Sequence, residues 1–390
     1  MTSSRENLGT LSIATAANFA QFGARVVVSP FVLAIAATFS VSKGDVGLVL
    51  TLLWATYALL QFPSGVFADR YGERRVVLAA LGLTAVGSLL VALAPSYPVF
   101  ALAVMVLGVG TGLYFAVGTS LLSRLFDATG WPFSVHSAGS PLAGLALPVI
   151  ATALAARYGW RAGVAVGAVV AAVAFALVLV TVDPLSPTSP DMRLGDRFRP
   201  DAILDILTRP EVAFTAAVGA LGMYVFQSFV SFFPTFLQEY HGLSESRAGL
   251  LFGVAFLLVA VFLPVAGWLA DRSDPDVGLL VPFLVTVAGF LTVLAVDGPA
   301  LIAGVVVLGA GVTWGGALQS RLMAKFDPGE KGTGFGVTRT AFVLVGSTGN
   351  VATGTIAETA GWPAAFGVVV ALLLVASALV VGNRVLGLGL

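Results

Sequence analysis

Twelve stretches of about 20 mostly apolar residues, each long enough to cross a bilayer as a helix, follow one another along the chain. They lie at 10–38, 45–67, 76–94, 98–122, 134–156, 160–182, 211–238, 247–269, 277–296, 299–320, 333–357 and 361–383. In hydrocarbon a backbone must satisfy its own N–H and C=O groups, so such stretches fold as spanning helices packed on one another. Internal Gly and Pro are tolerated there. Composition agrees. Only 10% of the 390 residues are charged, where a soluble domain carries roughly 25%, and the mean hydropathy is +0.97. No soluble core hides this much apolar surface, and disorder needs the opposite composition. The expectation is an all-α polytopic membrane protein with 12 transmembrane helices.

The charges fall between the spans. With the N-terminus placed in the cytoplasm, 14 of the 20 Lys and Arg residues are cytoplasmic and four (Lys43, Arg157, Arg161, Arg247) are external. The remaining two, Arg25 and Arg339, lie inside spans. Positive charge stays on the cytoplasmic side, so the reading is a multi-pass protein of the cell membrane with both termini inside. The opening MTSSRENLGTLS is too polar for a signal peptide. Residues 183–209 are polar and Pro-rich, which predicts a cytoplasmic linker between an N-terminal six-helix bundle, 1–182, and a C-terminal one, 210–390.

Zero net charge gives no electrostatic case for nucleic acid. Cysteine is absent, and His136 and His241 make no zinc pattern. Neither metal nor cofactor is expected. No nucleophile–base set appears, so the chain does not read as an enzyme. Gly108, Gly110 and Gly112 lie mid-span, without the strand context of a dinucleotide fingerprint or the Lys of a P-loop. They read instead as small residues that let helices approach. Any pumping is therefore secondary, coupled to an ion or an exchanged solute.

The two halves repeat. GVFADRYGERR starts at Gly65 and GWLADRSDPDV at Gly267, while Gly159–Trp160 matches Gly361–Trp362; both pairs are 202 residues apart. Parallel six-helix halves related by an axis along the membrane normal belong to one transporter architecture. The chain resembles the major facilitator superfamily over essentially its whole length. The superfamily's G-x-x-x-D-R-x-G-R/K-R/K signature after the second span is present as Gly65, Asp69, Arg70, Gly72, Arg74 and Arg75, with Glu73 at a usually basic position. Its second copy keeps Gly267, Asp271 and Arg272. The resemblance implies two bundles related by a pseudo-two-fold axis and a cytoplasmic latch. Gly65 would permit close helix approach, Asp69 would face the positive N-terminus of a helix in the other half, and the Arg residues would anchor at headgroups. Two departures weaken a proton-driven drug exporter: Val104 stands where an Arg often precedes the fourth-span Gly cluster, and the fifth-span antiporter signature survives only as Gly139, Pro141 and Gly144.

Ionisable groups inside a membrane default to function. All 20 acidic residues fall in loops or at span ends, so no mid-membrane carboxylate is available for proton coupling. His136 could substitute for such a carboxylate, but near the cytoplasmic end of the fifth span it reads first as a satisfied interfacial histidine. Arg25 lies mid-span and stays charged, so an anionic substrate is its natural partner, held by the guanidinium fork. Asn18, Gln21 and Arg25 share one helix face at i, i+3 and i+7. The 202-residue offset pairs Arg25 with Gln227, one turn from Tyr224. Tyr114 and Trp314 are candidate aromatic walls of the pocket, and Tyr57 is a further substrate-binding candidate. Organophosphate and organic-anion members of the resembled superfamily use a first-span Arg, and the second-span run from Tyr57 to Gly65 is similar to anion transporters. Arg339 could bind substrate, but reads first as a gate residue that would pair with Asp69 or a backbone carbonyl. Gly346 to Asn350 is similar to the Gly-Asn runs of nitrate transporters, but their paired second- and eighth-span Arg residues are missing, which points away from nitrate.

The expected function is a secondary active transporter that moves a small organic or inorganic anion by alternating access as a monomer. The alternative is a multidrug or hydrophobic-compound exporter of the same superfamily. A membrane sensor would need an added signalling domain.

Overall fold

Prolines and glycines decide where these helices bend and stop. In the computed structural model, which describes residues 2–126, 130–196, 198–327 and 330–390 with the side chains at 2–7, 196, 271 and 275 left outside, all regular structure is helical. Eleven helical spans are long and apolar enough to cross a membrane: Leu8–Phe39, Lys43–Tyr71, Glu73–Leu93, Tyr97–Leu125, Trp131–Tyr158, Trp160–Thr181, Pro210–Glu239, Glu245–Ala270, Asp276–Ala295, Ala300–Met323 and Trp362–Val385. The remaining stretch, expected at 333–357, is two helices, Lys331–Gly346 and Thr348–Ala360, interrupted at Ser347. The chain thus has twelve spanning segments, called here the first to the twelfth span.

The first span ends its main helix at Val26 and resumes at Val32 through a short 3-10 turn containing Pro30. Proline lacks an N–H and constrains the residue before it, which favours the break at this point. Arg25 therefore occupies the last turn of a helix, where the exposed carbonyl ends favour a cation.

The helices cluster into two compact units. One contains the chain to Val28 and Leu52–Pro200; the other contains Ser29–Thr51 and Asp201–Leu390. The internal repeat is visible in backbone detail. Gly159 and Gly361 precede the sixth and twelfth spans with nearly the same conformation, φ 80° and 83°. Only glycine holds that left-handed geometry without strain. A Cβ on Gly110 would sit 2.5 Å from the Thr84 nitrogen, and one on Gly311 would meet the Thr286 nitrogen equally closely. Gly108 and Gly309 likewise back onto the carbonyls of Leu53 and Ala255, each at 2.5 Å. These glycines bring helix backbones together in both units. A Cβ on Gly65 or Gly267, by contrast, would meet nothing within 4 Å. The expectation that Gly65 serves close helix approach is corrected accordingly; the fourth and tenth spans hold that role.

Candidate functional site: a cationic aromatic box in the first unit

Arg25 is nearly buried, 9% exposed. Its guanidinium carbon lies 4.1 Å from the Tyr57 ring centre, 4.7 Å from Trp54 and 5.3 Å from Phe22. Trp54 and Tyr57 stand edge to face, 5.4 Å apart, because residues three apart share a helix face. Ring quadrupoles attract a cation, more strongly once water is removed. The arginine Nε donates to the Gln21 carbonyl at 3.4 Å. One turn below, Gln21 Oε1 accepts the Thr84 hydroxyl at 2.7 Å, while its buried Nε2 has no hydrogen-bond partner. Further along the same face, Asn18 Nδ2 donates to the His136 carbonyl at 2.7 Å. Asn18, Gln21 and Arg25 thus follow one face of the first span, with Tyr57 against Arg25; Trp54 is the residue beside Arg25 that sequence reasoning missed. Its signal was the Trp54–Tyr57 spacing, hidden in an otherwise apolar span.

Tyr114 is not beside Arg25. Its hydroxyl donates to the Ala14 carbonyl at 2.6 Å, and its ring lies 5.8 Å from that of His136. His136 is 2% exposed. The ring is sealed among helices, so the expected interfacial position is corrected to a buried one.

In the second unit Gln227 sits in a neutral knot. Its Oε1 accepts from Asn350 Nδ2 at 2.9 Å, its Nε2 donates to the Val343 carbonyl at 3.4 Å, and Ser231 donates to Asn350 Oδ1. Tyr224 lies on the same helix, its carbonyl pressed by Gly349. Trp314 packs on Phe283 with centroids 5.7 Å apart, its buried Nε1 without a partner.

Around the signature loop, Gly72 turns the chain at φ 88°. Asp69 accepts the Thr188 hydroxyl at 2.9 Å, Arg70 donates to the Met192 carbonyl at 3.0 Å and Arg74 to the Leu179 carbonyl at 2.8 Å. The loop therefore grips the segment that follows the sixth span. Glu73, the departure from the basic pattern, is explained by Arg124, whose guanidinium reaches both its oxygens at 2.7 and 2.9 Å. Arg272 lies over Trp268 at 5.0 Å and Arg339 over Phe335 at 5.8 Å. The Asp271 side chain lies outside the described residues.

A second feature escaped the sequence. Lys43, opening the second span, meets Glu239 at 2.8 Å and Glu358 at 3.6 Å. Trp362 donates to the same Glu239 at 2.9 Å. Glycines seat this seam: a Cβ on Gly354 would lie 2.6 Å from the Lys43 carbonyl, and one on Gly47 2.6 Å from that of Asn350.

The model of the Major Facilitator Superfamily matches residues 13–275 and 219–385. The chain belongs to the Major Facilitator Superfamily. It is 27% identical over 278 residues to a nitrite extrusion protein of Bacillus subtilis, an alignment covering 68% of this chain and 66% of that one. It is 29% identical over 282 residues to a probable nitrate/nitrite transporter of Mycobacterium tuberculosis, covering 70% and 68%. With a probable chloroplastic anion transporter of Oryza sativa it shares 25% over 386 residues, 90% of this chain and 64% of the other. The matches to these relatives span about two thirds of their length. Its fold matches that of a bacterial homologue of the human lysosomal transporter Spinster, in an inward-facing unoccupied state, with a TM-score of 0.78, 18% identity and 96% of each chain covered. As a member of this superfamily it is a multi-pass membrane transporter and not an enzyme.

Proposed function

We propose that this transporter moves a small oxyanion across the cell membrane by alternating access, with Arg25 as its charge partner and both termini in the cytoplasm. One observation carries the reading. One turn from the buried Arg25 cation, the Gln21 Nε2 donor is buried with nothing to bond. An unmet buried donor costs about 1–3 kcal/mol, and an anion accepting from both groups removes that cost. Names borne by relatives support the class: nitrite extrusion, nitrate/nitrite transport and anion transport. They make nitrate and nitrite the first probes, although the paired second- and eighth-span arginines noted above are missing. Asn18 and Tyr57 complete the proposed contact set, and the repeat adds Gln227, Tyr224 and Trp314 as neutral counterparts. The proposed latch is Asp69, Arg70, Gly72, Arg74, Asp271, Arg272 and Arg339. We assign the bundles to 1–182 and 210–390, joined by a cytoplasmic linker at 183–209. The transporter works as a monomer, with a coupling ion or exchanged solute.

The test is ligand-induced thermal stabilisation of the purified full chain, beside Arg25→Ala. A ligand that binds only the native state stabilises it by RT ln(1 + [L]/Kd). Nitrate, nitrite or small carboxylates should raise the wild-type midpoint and leave the variant unmoved. If lipophilic cations or neutral drugs shift both proteins alike, the exporter reading replaces this one.

A further inference from the structure

The tenth span is broken inside the membrane. We propose that this break is an oxyanion contact site of the second unit, built from the Trp314 indole N–H and the backbone N–H groups of Gly315 and Gly316. The inference rests on the anion reading above and deepens it, by naming where the second unit meets the transported oxyanion.

The span runs as two helices, Ala300–Gly311 and Gly315–Met323. The second has nine residues, so its N-terminus opens within the span and not at its end. Leu318 N donates to the Trp314 carbonyl at 3.1 Å, so the N–H groups of Gly315, Gly316 and Ala317 precede the helical ladder. Aligned peptide dipoles place a partial positive charge there, and such ends bind anions. Gly315 and Gly316 are exposed, and a Cβ on either would meet nothing within 4 Å. The space beside these donors is open. Trp314 is an independent mark of a ligand. It is 4% exposed, and its indole Nε1 has no hydrogen-bond partner. An indole nitrogen only donates, and a buried one usually finds an acceptor. Trp314 holds helical dihedrals just before Gly315. Side chains of a helix tilt toward its N-terminus, so the indole leans over the end to which the free N–H groups point. The Phe283 ring, centred 5.7 Å away, and Gly222, whose Cβ would lie 3.0 Å from the indole rim, hold it in place.

The first unit carries the same break in closed form. Its fourth span is interrupted between Gly112 and Phe115. Tyr114 stands there in place of the tryptophan, and its hydroxyl donates to the Ala14 carbonyl at 2.6 Å. Its ring covers Gly118, whose Cβ would lie 2.9 Å from it. Phe115 and Ala116 follow in place of the two glycines and are half-buried. One break is closed by its own side chains; the other leaves its donors uncovered. Within hydrocarbon an unmet N–H is costly, and irregular backbone persists only where it is buried in protein or lines a wetted cavity. The chemistry of the donors selects the ligand. Trp314, Gly315 and Gly316 all offer N–H groups at the positive end of a helix, so a compact oxyanion can accept from indole and backbone together, whereas a cation is repelled. Such a contact needs no charged side chain, which accords with the neutral Gln227 at the repeat position of Arg25.

The experiment measures nitrate affinity of the purified full chain by calorimetry, for wild type, Trp314→Phe, Gly316→Val and Arg25→Ala. Trp314→Phe keeps an aromatic ring in the packing and removes the N–H. Gly316→Val fills the open space beside the donors. Hydrogen bonds to a charged partner are the stronger kind, so Trp314→Phe should weaken nitrate binding at least about tenfold, and Gly316→Val should weaken it by a similar factor. The thermal midpoint of ligand-free Trp314→Phe should not fall, because the indole N–H it removes has no partner in the protein. In parallel, indole N–H signals are read by NMR on protein isotope-labelled at tryptophan; the chain has six tryptophans, and Trp314→Phe assigns the signal of Trp314. Nitrate should move that signal in the wild type. The proposal is overturned if Trp314→Phe binds nitrate as the wild type does, or if nitrate leaves the Trp314 signal in place. If Arg25→Ala abolishes nitrate binding while both second-unit variants keep it, the anion reading stands and this site falls. If the wild type binds none of nitrate, nitrite or small carboxylates, both fall together.

Discussion

Arg25 and Gln227 occupy equivalent places in the repeat, 202 residues apart, yet their surroundings differ in kind. Arg25 faces three aromatic rings beside an unmet amide donor. Gln227 is fully buried and tied to Asn350 and Val343. The glycine contacts beneath them have barely diverged, since Gly110 and Gly311 press on Thr84 and Thr286 alike. Duplication has preserved how the backbones pack and let the polar chemistry drift apart. One unit holds a charge that a ligand can answer; the other holds a network that answers itself.

The sharpest way to break this contrast is to remove each side chain in turn. Truncating one partner of a buried charged contact costs about 2–5 kcal/mol, so Arg25→Ala should weaken anion affinity at least about thirtyfold. Gln227→Ala removes a neutral hydrogen-bonding group, about 0.5–1.5 kcal/mol, and should weaken it tenfold at most. Equilibrium binding of nitrate or nitrite to both variants checks this. Equal losses would mean that the two residues do the same work.

The shared scaffold should respond symmetrically. Gly110→Val and Gly311→Val each force branched carbons onto a threonine backbone nitrogen, and overpacking of this kind costs about 1–3 kcal/mol. Both should lower the thermal midpoint in detergent by similar amounts. A tolerated substitution in one unit alone would show that the packing has diverged too.

A smaller effect tests the aromatic box. Trp54→Ala leaves the arginine in place but removes one ring, and a desolvated cation–π contact is worth about 2 kcal/mol. Anion affinity should fall by up to about thirtyfold, with Trp54→Phe restoring most of it. No recovery in the Phe variant would place the indole's shape, not its π-face, at the centre of the site.

How much of this was legible beforehand follows from the range of each interaction. The spans, the signature loop and Arg25 were readable because hydropathy and motif spacing are local. The shared face of Asn18, Gln21 and Arg25 was readable because helical periodicity places it. Local pattern carries nothing about Glu73 meeting Arg124, or Lys43 meeting Glu239 and Glu358, since packing decides which loop charges meet across the fold. The sealed ring of His136 was misjudged for a related reason. Its position in sequence marks a span end, but burial depends on how the first and fourth spans close over it.

The smallest effect concerns an exposed pair outside the spans. Arg209 contacts Glu330 at 2.8 Å and Asp205 at 3.0 Å. Hydrogen bonding to Arg209 holds the Glu330 carboxyl below its ordinary value near 4.5, and the same bonds raise Arg209. A carboxyl depressed in the folded state stabilises that state fully above its unfolded value. The stabilisation fades as pH falls through the lower, folded value, because the native protein must then take up a proton it resists. Glu330→Gln should therefore lower the thermal midpoint slightly at pH 7 and make no difference once pH has fallen below the folded value. The pair is solvent-exposed, so raising salt at pH 7 should shrink the difference as well. The contrast with Arg25 is one of solvent: the same guanidinium chemistry counts for little where water and salt reach it. A salt-independent effect at Glu330 would place this pair with the buried contacts instead.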